Sequence, residues 1–199
     1  MQILSIRFRS PKPTEEIAAM AVGSLPKFEK PPGLIQKYYV DCSDSDEMGG
    51  IYVWESSEHL QAYLAGPIVA AMPERYAMPA PPRLEILDLD FEVQLTAERP
   101  PRAGQVISSV RLASGLHPEA LKEKRQELVS HNTASPGLVH TYVVSNPGSG
   151  RAGGLYVWES EQDLNASLAE PELKYIREQF ESAGPIEIET LRINRILRS

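Results

Sequence analysis

With one cysteine in 199 residues, Cys42, the chain has no means of forming an internal disulfide, which fits a reducing compartment. Its four histidines and single cysteine show no zinc-type spacing, and neither a phosphate-cradling glycine loop nor a serine nucleophile elbow occurs. No apolar run approaches the roughly 20 residues that cross a bilayer, and Met1-Gln2-Ile3-Leu4 lacks the basic and long apolar regions of a secretion signal. The expectation is a cytoplasmic protein with no membrane partner. A formal charge of -7 and a pI near 5.2, with no basic stripe, argue against nucleic acid as a partner. The acidic stretch Asp41, Asp44, Asp46 and Glu47 lacks the spacing and central glycine of a calcium loop, so it reads as a solvated turn and no metal is expected.

What is present is a repeat. Gly49-Gly50-Ile51-Tyr52-Val53-Trp54-Glu55-Ser56 returns as Gly153-Gly154-Leu155-Tyr156-Val157-Trp158-Glu159-Ser160, an offset of 104 residues. The same offset pairs Pro32-Gly33-Leu34 with Pro136-Gly137-Leu138, Leu64 with Leu168, and Pro67 with Pro171. Two units of small-domain size are implied, residues 1–97 and 105–199, with a linker over Glu98–Gly104.

Within each unit the pattern alternates between strand and helix periods. Ile3–Arg9 and Val106–Leu112 read as first strands. Helices follow, with Thr14 placed to cap the first and Pro118 suited to the opening turn of the second. Leu121, Leu128 and Val129 form an apolar stripe there, and His117 and His131 flank that helix as capping candidates. After the Pro-Gly breaks come strands Leu34–Val40 and Leu138–Val144, then Ile51–Trp54 and Leu155–Trp158, which are apolar on both faces and so demand cover on both. Ser56 or Ser57 and Ser160 open the next helices, Pro67 and Pro171 kink or restart them, and strands near Leu84–Val93 and Ile186–Leu197 close each unit. The fold class is α+β: two ferredoxin-like βαββαβ repeats, packed sheet to sheet as an intramolecular dimeric α/β barrel.

At Pro32-Gly33-Leu34, Gly49-Gly50-Ile51-Tyr52 and Leu60-Gln61-Ala62-Tyr63-Leu64, in that order and spacing, the chain resembles the YdhR-like monooxygenases, relatives of the antibiotic-biosynthesis monooxygenases. Members are typically homodimers of single units, so the resemblance implies a fused pseudo-dimer, with further homodimerisation left open. It also implies oxidation of a small aromatic or quinol-like substrate by O₂ with no metal, flavin or other cofactor. The alternative is a non-catalytic module binding a small apolar ligand. Tyr63 and Ser167 stand where haem-degrading relatives carry a histidine, so the resemblance implies no haem ligand there.

Such chemistry needs a dry pocket and a means of favouring a substrate anion. The resemblance places Trp54 toward the helices; strand alternation then puts Tyr52 beside it, and Tyr156 beside Trp158 in the second copy. Tyr38 and Tyr142 are candidates to orient a substrate oxygen, and His140, on the parity of Tyr142, is the candidate base of the second copy. Tyr52, Trp54, Tyr63, Lys37, Tyr156 and Trp158 are the candidate substrate-binding residues. Lys37 offers an anion partner in the first copy alone, since Thr141 replaces it. The competing reading makes the aromatics core residues and His140 a strand histidine without function. Gln36/His140, Lys37/Thr141 and Tyr63/Ser167 lead to the expectation of two unequal pockets.

Overall fold

The computed structural model describes every residue except 30, 96–99, 133, 134, 147, 183 and 199, and only the backbone of Val129, His131 and Asn132. Residues 98 and 99 of the expected linker, and the side chains of Val129 and His131, therefore fall outside the described residues. The first copy runs β1 (Gln2–Phe8), α1 (Thr14–Phe28), β2 (Leu34–Cys42), β3 (Met48–Trp54), α2 (Ser57–Leu64), α3 (Pro67–Ala70), α4 (Met72–Arg75) and β4 (Arg83–Gln94). The second runs β5 (Val106–Leu112), α5 (Pro118–Asn132), β6 (Leu138–Asn146), β7 (Arg151–Trp158), α6 (Glu161–Ser167), α7 (Glu170–Gln179) and β8 (Glu187–Ile196). Each copy is ferredoxin-like, and the hydrogen-bonded strand order β1-β3-β2-β8-β5-β7-β6-β4 closes as an antiparallel barrel.

By compactness the chain divides into Met1–Leu87 with Ile193–Ser199, and Asp88–Arg192. In the first unit β3 lies between β1 and β2, with Ile3 opposite Val53 and Tyr38 opposite Ile51. In the second β7 lies between β5 and β6, with Ile107 opposite Val157 and Tyr142 opposite Leu155. Both central strands are buried on both faces: Ile51, Tyr52, Val53 and Trp54 are all nearly inaccessible, as are Leu155 and Val157. Cover on both faces explains why these sequences are continuously apolar instead of alternating.

Two glycine pairs fix the copies in the same geometry. Gly49 and Gly153 face the neighbouring strand, β1 or β5, so closely that an added Cβ would sit 1.9 Å from the carbonyl oxygen of Ile6 or Val110. Gly33 and Gly137 take left-handed backbone, φ 73° and 78°, and each carbonyl accepts from the N–H of Glu55 or Glu159 at 2.8 Å. Helix entries repeat as well: Ser56 Oγ accepts from the N–H of His59, and Ser160 Oγ accepts from that of Asp163. The Ser160 hydroxyl also donates to Asp163 Oδ2 at 2.6 Å, in place of the reciprocal side-chain-to-backbone bond of a capping box. Pro67 and Pro171 do restart helices. Thr14 does not cap α1. The helix opens at Thr14 itself, with Pro13 as the flanking residue and no side-chain cap, so its hydroxyl lies one position too late to meet the free amides.

Candidate functional site

Each unit holds a cavity between its helices and its sheet. In the first unit it measures about 600 Å³ and is walled by Phe28, Tyr39, Tyr52, Tyr63, Met72 and Tyr76, with Lys37, Arg75 and Arg195 among its polar lining. That volume falls within the roughly 300–1,000 Å³ typical of small-molecule sites. β2 supplies Lys37 and Tyr39 from one strand face, β3 supplies Tyr52, α1 Phe28, and α2 Tyr63. A bulge between Leu34 and Gln36 sets that parity.

Lys37 is 3% exposed, and its Nζ lies 3.3 Å from the Phe28 ring centroid, 3.7 Å from Tyr39 and 4.7 Å from Tyr52. No carboxylate among the described residues pairs with it, although Asp41 lines the same cavity. Burial, and then the positive charge of Arg75, hold its pKa well below the usual lysine value. The ring faces oppose that trend by attracting the ammonium form. Tyr39 donates to or accepts from Ser24 Oγ at 2.9 Å, and burial pushes its pKa up to about 12. Burial likewise pushes the Tyr52 and Tyr63 hydroxyls upward, keeping both protonated. The rings of Tyr52 and Tyr63 lie 5.6 Å apart, and the Tyr63 hydroxyl is buried without a well-formed hydrogen bond.

The second-unit cavity is smaller, about 260 Å³, and Tyr156, Trp158, Ser108, Arg125, Ser167 and Phe180 contribute to its wall. Trp158 Nε1 donates to Ser108 Oγ at 3.0 Å. Its counterpart Trp54 Nε1 is buried with no acceptor, because Leu4 stands where the second copy has Ser108. Arg125 enters from α5, with Nη1 2.5 Å from Asp90 Oδ2. Burial pushes the Tyr156 hydroxyl up to about 12, against the pull of Arg111 and Arg125.

The structure thus brings Lys37, Tyr52 and Tyr63 to one cavity, and Tyr156 and Trp158 to the other. Trp54 packs against the Tyr63 ring, centroids 5.0 Å apart, behind the first cavity's wall. Tyr38, His140 and Tyr142 lie on the opposite strand face from Tyr39 and Val143, which line the cavities. His140 stacks on Tyr142 with centroids 4.2 Å apart, and its Nε2 is 3.3 Å from Glu92 Oε2. Burial lowers its pKa, outweighing the Glu92 carboxylate, which raises it. Sequence reasoning passed over Tyr39, Phe28 and Tyr76. Tyr39 was within reach, since strand alternation puts it on the face of Lys37, two residues before it; Phe28 and Tyr76 come from α1 and the end of α4, for which no spacing rule gives a register with the sheet.

Residues 3–80 match the model of the family described as "Putative mono-oxygenase ydhR". Among solved structures the chain is similar to an "anthrone oxidase-like protein", with 14% identity, TM-score 0.66, and 98% of this chain and 91% of that one covered. It is similar to a "Putative monooxygenase" from Fusobacterium nucleatum, with 12% identity, TM-score 0.71, and 98% and 93% covered. A third likeness, 12% identical with TM-score 0.64 and 98% and 95% covered, is to a "putative monooxygenase" from Lactobacillus acidophilus. At these identities the solved structures bear on fold alone. No curated protein matches the chain.

Proposed function

We propose that this chain, whose residues 3–80 carry the ydhR mono-oxygenase family match, oxidises a small aromatic bearing an ionisable hydroxyl or acidic carbon in its first-copy cavity. The observation that carries the reading is Lys37: a buried amine, with no carboxylate partner among the described residues, facing an aromatic chamber of about 600 Å³. In its neutral form the amine accepts the substrate's proton, and the resulting ammonium stays beside the new anion, shielded from water. The faces of Phe28, Tyr39 and Tyr52 stabilise that ammonium, and the protonated Tyr63 hydroxyl offers a hydrogen bond to a substrate oxygen.

The electron-rich anion then reduces O₂. For a phenol the overall balance is one phenol plus one O₂ giving a quinone and one water: a ring C–H becomes C=O, and the second oxygen atom leaves as water. Lys37 returns its proton in the step that releases water. The protein's part is to bind, deprotonate and exclude solvent; the substrate supplies the electrons.

The second cavity supports a different role. Thr141 replaces the amine and the volume is about 260 Å³, so it suits a smaller ligand bound without proton transfer. Oxygen uptake with a panel of phenols, quinols and anthrone-like compounds tests the main reading. Uptake that disappears in Lys37→Met supports it, and no uptake across the panel, with metals and flavin also supplied, overturns it.

A further inference from the structure

Among the described residues Lys37 is the only buried lysine, and it opens onto the cavity instead of into packed core. We propose that Lys37 is also a nucleophile, which captures aromatic aldehydes and ketones in the first-copy cavity as an imine. The inference shares the cavity with the oxygenase reading and rests on it only for the aromatic character of the ligand; it requires no oxygen.

Three observations converge. First, an amine attacks a carbonyl through its lone pair, which exists only in the neutral form. Burial and the neighbouring cation Arg75 favour that form, against the pull of the Phe28, Tyr39 and Tyr52 ring faces on the ammonium. Among the described residues no carboxylate pairs with the nitrogen, whose contacts are the three ring faces. Second, the three rings that surround Nζ are the surfaces on which an aromatic carbonyl compound stacks, which sets its carbonyl carbon near the nitrogen. Third, imine formation needs an acid. The Tyr63 hydroxyl, protonated and without a good hydrogen bond of its own, borders Tyr52 in the same chamber.

The chemistry balances without an oxidant. The lone pair of Nζ forms a bond to the carbonyl carbon while the C=O π pair moves to oxygen, and one proton passes from nitrogen to that oxygen to give a carbinolamine. The C–O bond then breaks as Tyr63 protonates the departing hydroxyl, water leaves, and the last nitrogen proton passes to the Tyr63 phenolate, which restores it. A C=N bond has formed, one water has been lost, and no atom has changed oxidation state. The second copy serves as an internal control, since Thr141 at the equivalent position has no amine.

The test uses the intact wild-type chain under argon at pH 7, with benzaldehyde and cyanoborohydride to reduce any imine, followed by peptide mass mapping. Lys37 is expected to be alkylated faster than every other lysine, by about tenfold or more, because more of it is in the neutral form at this pH. Naphthalene, which has no carbonyl, is expected to slow that labelling by occupying the chamber, and Lys37→Arg to abolish it. Alkylation confined to exposed lysines, with Lys37 untouched, overturns the inference. Because oxygen is excluded, labelling at Lys37 together with a failed oxygen-uptake panel sinks the oxygenase reading alone, and the reverse pair of results sinks this one alone.

Discussion

The two cavities occupy the same place in two copies of one pattern, yet they solve the problem of a buried cation in opposite ways. In the second copy the guanidinium of Arg125 reaches the cavity from a helix, tied to Asp90 at 2.5 Å. A charge held in that way is an anchor. In the first copy the cation comes from a strand, and Lys37 meets only ring faces. The cost of removing that charge from water lowers the amine's pKa, against the attraction of the ring faces. The tryptophans differ in the same sense: Trp158 has its acceptor in Ser108, whereas Trp54 has none. Repetition has preserved the frame, and the polar groups that line the cavities are where the copies diverge.

The largest effect should come where the copies are identical. Gly49→Ala and Gly153→Ala each force a Cβ into a backbone carbonyl, and each should lower unfolding free energy by about 3 kcal/mol or more in urea titrations. A small effect at either site would break the equivalence of the two strand pairings. Next, Ser108→Ala should cost about 1–3 kcal/mol, because it leaves the Trp158 indole as unpartnered as that of Trp54. Unchanged stability would mean that this hydrogen bond does not distinguish the copies.

Lys37→Met should act in the other direction, raising stability at pH 7 by about 1 kcal/mol, since the desolvated amine is replaced by an apolar side chain of similar reach. The pH profile tests the same point. Lys37 has a lowered pKa when folded, so between that value and 10.5 the unfolded chain carries a proton that the folded chain lacks, and stability rises with pH. Above about 10 the sign reverses. Tyr39 and Tyr156, held up to about 12, keep protons that the unfolded chain has released, and stability falls as pH rises. Chemical denaturation across this range should lose its rising limb in Lys37→Met and keep its falling one.

The smallest contrast lies at the helix caps. Ser56→Ala should cost about 0.5 kcal/mol and Ser160→Ala about 1 kcal/mol, because the Ser160 hydroxyl donates to the Asp163 carboxylate at 2.6 Å whereas the Ser56 hydroxyl has only a longer contact, 3.2 Å, to the His59 ring nitrogen. Thermal melts of the paired variants would measure the difference, and equal losses would remove it.

How much of this was legible differs by element. The doubly apolar runs Ile51–Trp54 and Leu155–Trp158 announced strands covered on both faces, because side chains alternate to the two faces of a strand and both sets are apolar here. The Pro-Gly pairs and the helix restarts at Pro67 and Pro171 were equally plain, since proline and glycine act locally. The site was legible in part. Lys37, Tyr52, Tyr63, Tyr156 and Trp158 could be named from the repeat; Tyr38 and Tyr142 lie on the strand face away from the cavities, and Tyr39, on the face of Lys37, was passed over. Phe28 and Tyr76 could not be found, because distant helices bring them to the sheet.

Sequence alone determined the repeat, the order of strands and helices, and the positions where the copies differ, since periodicity, turn chemistry and self-similarity are properties of neighbouring residues. Only the tertiary structure decided that Lys37 loses its water to three aromatic rings from α1, β2 and β3, and that His140 turns to Glu92 on the other strand face. Desolvation is set by everything that surrounds a group, and residues far apart in the chain supply most of those surroundings.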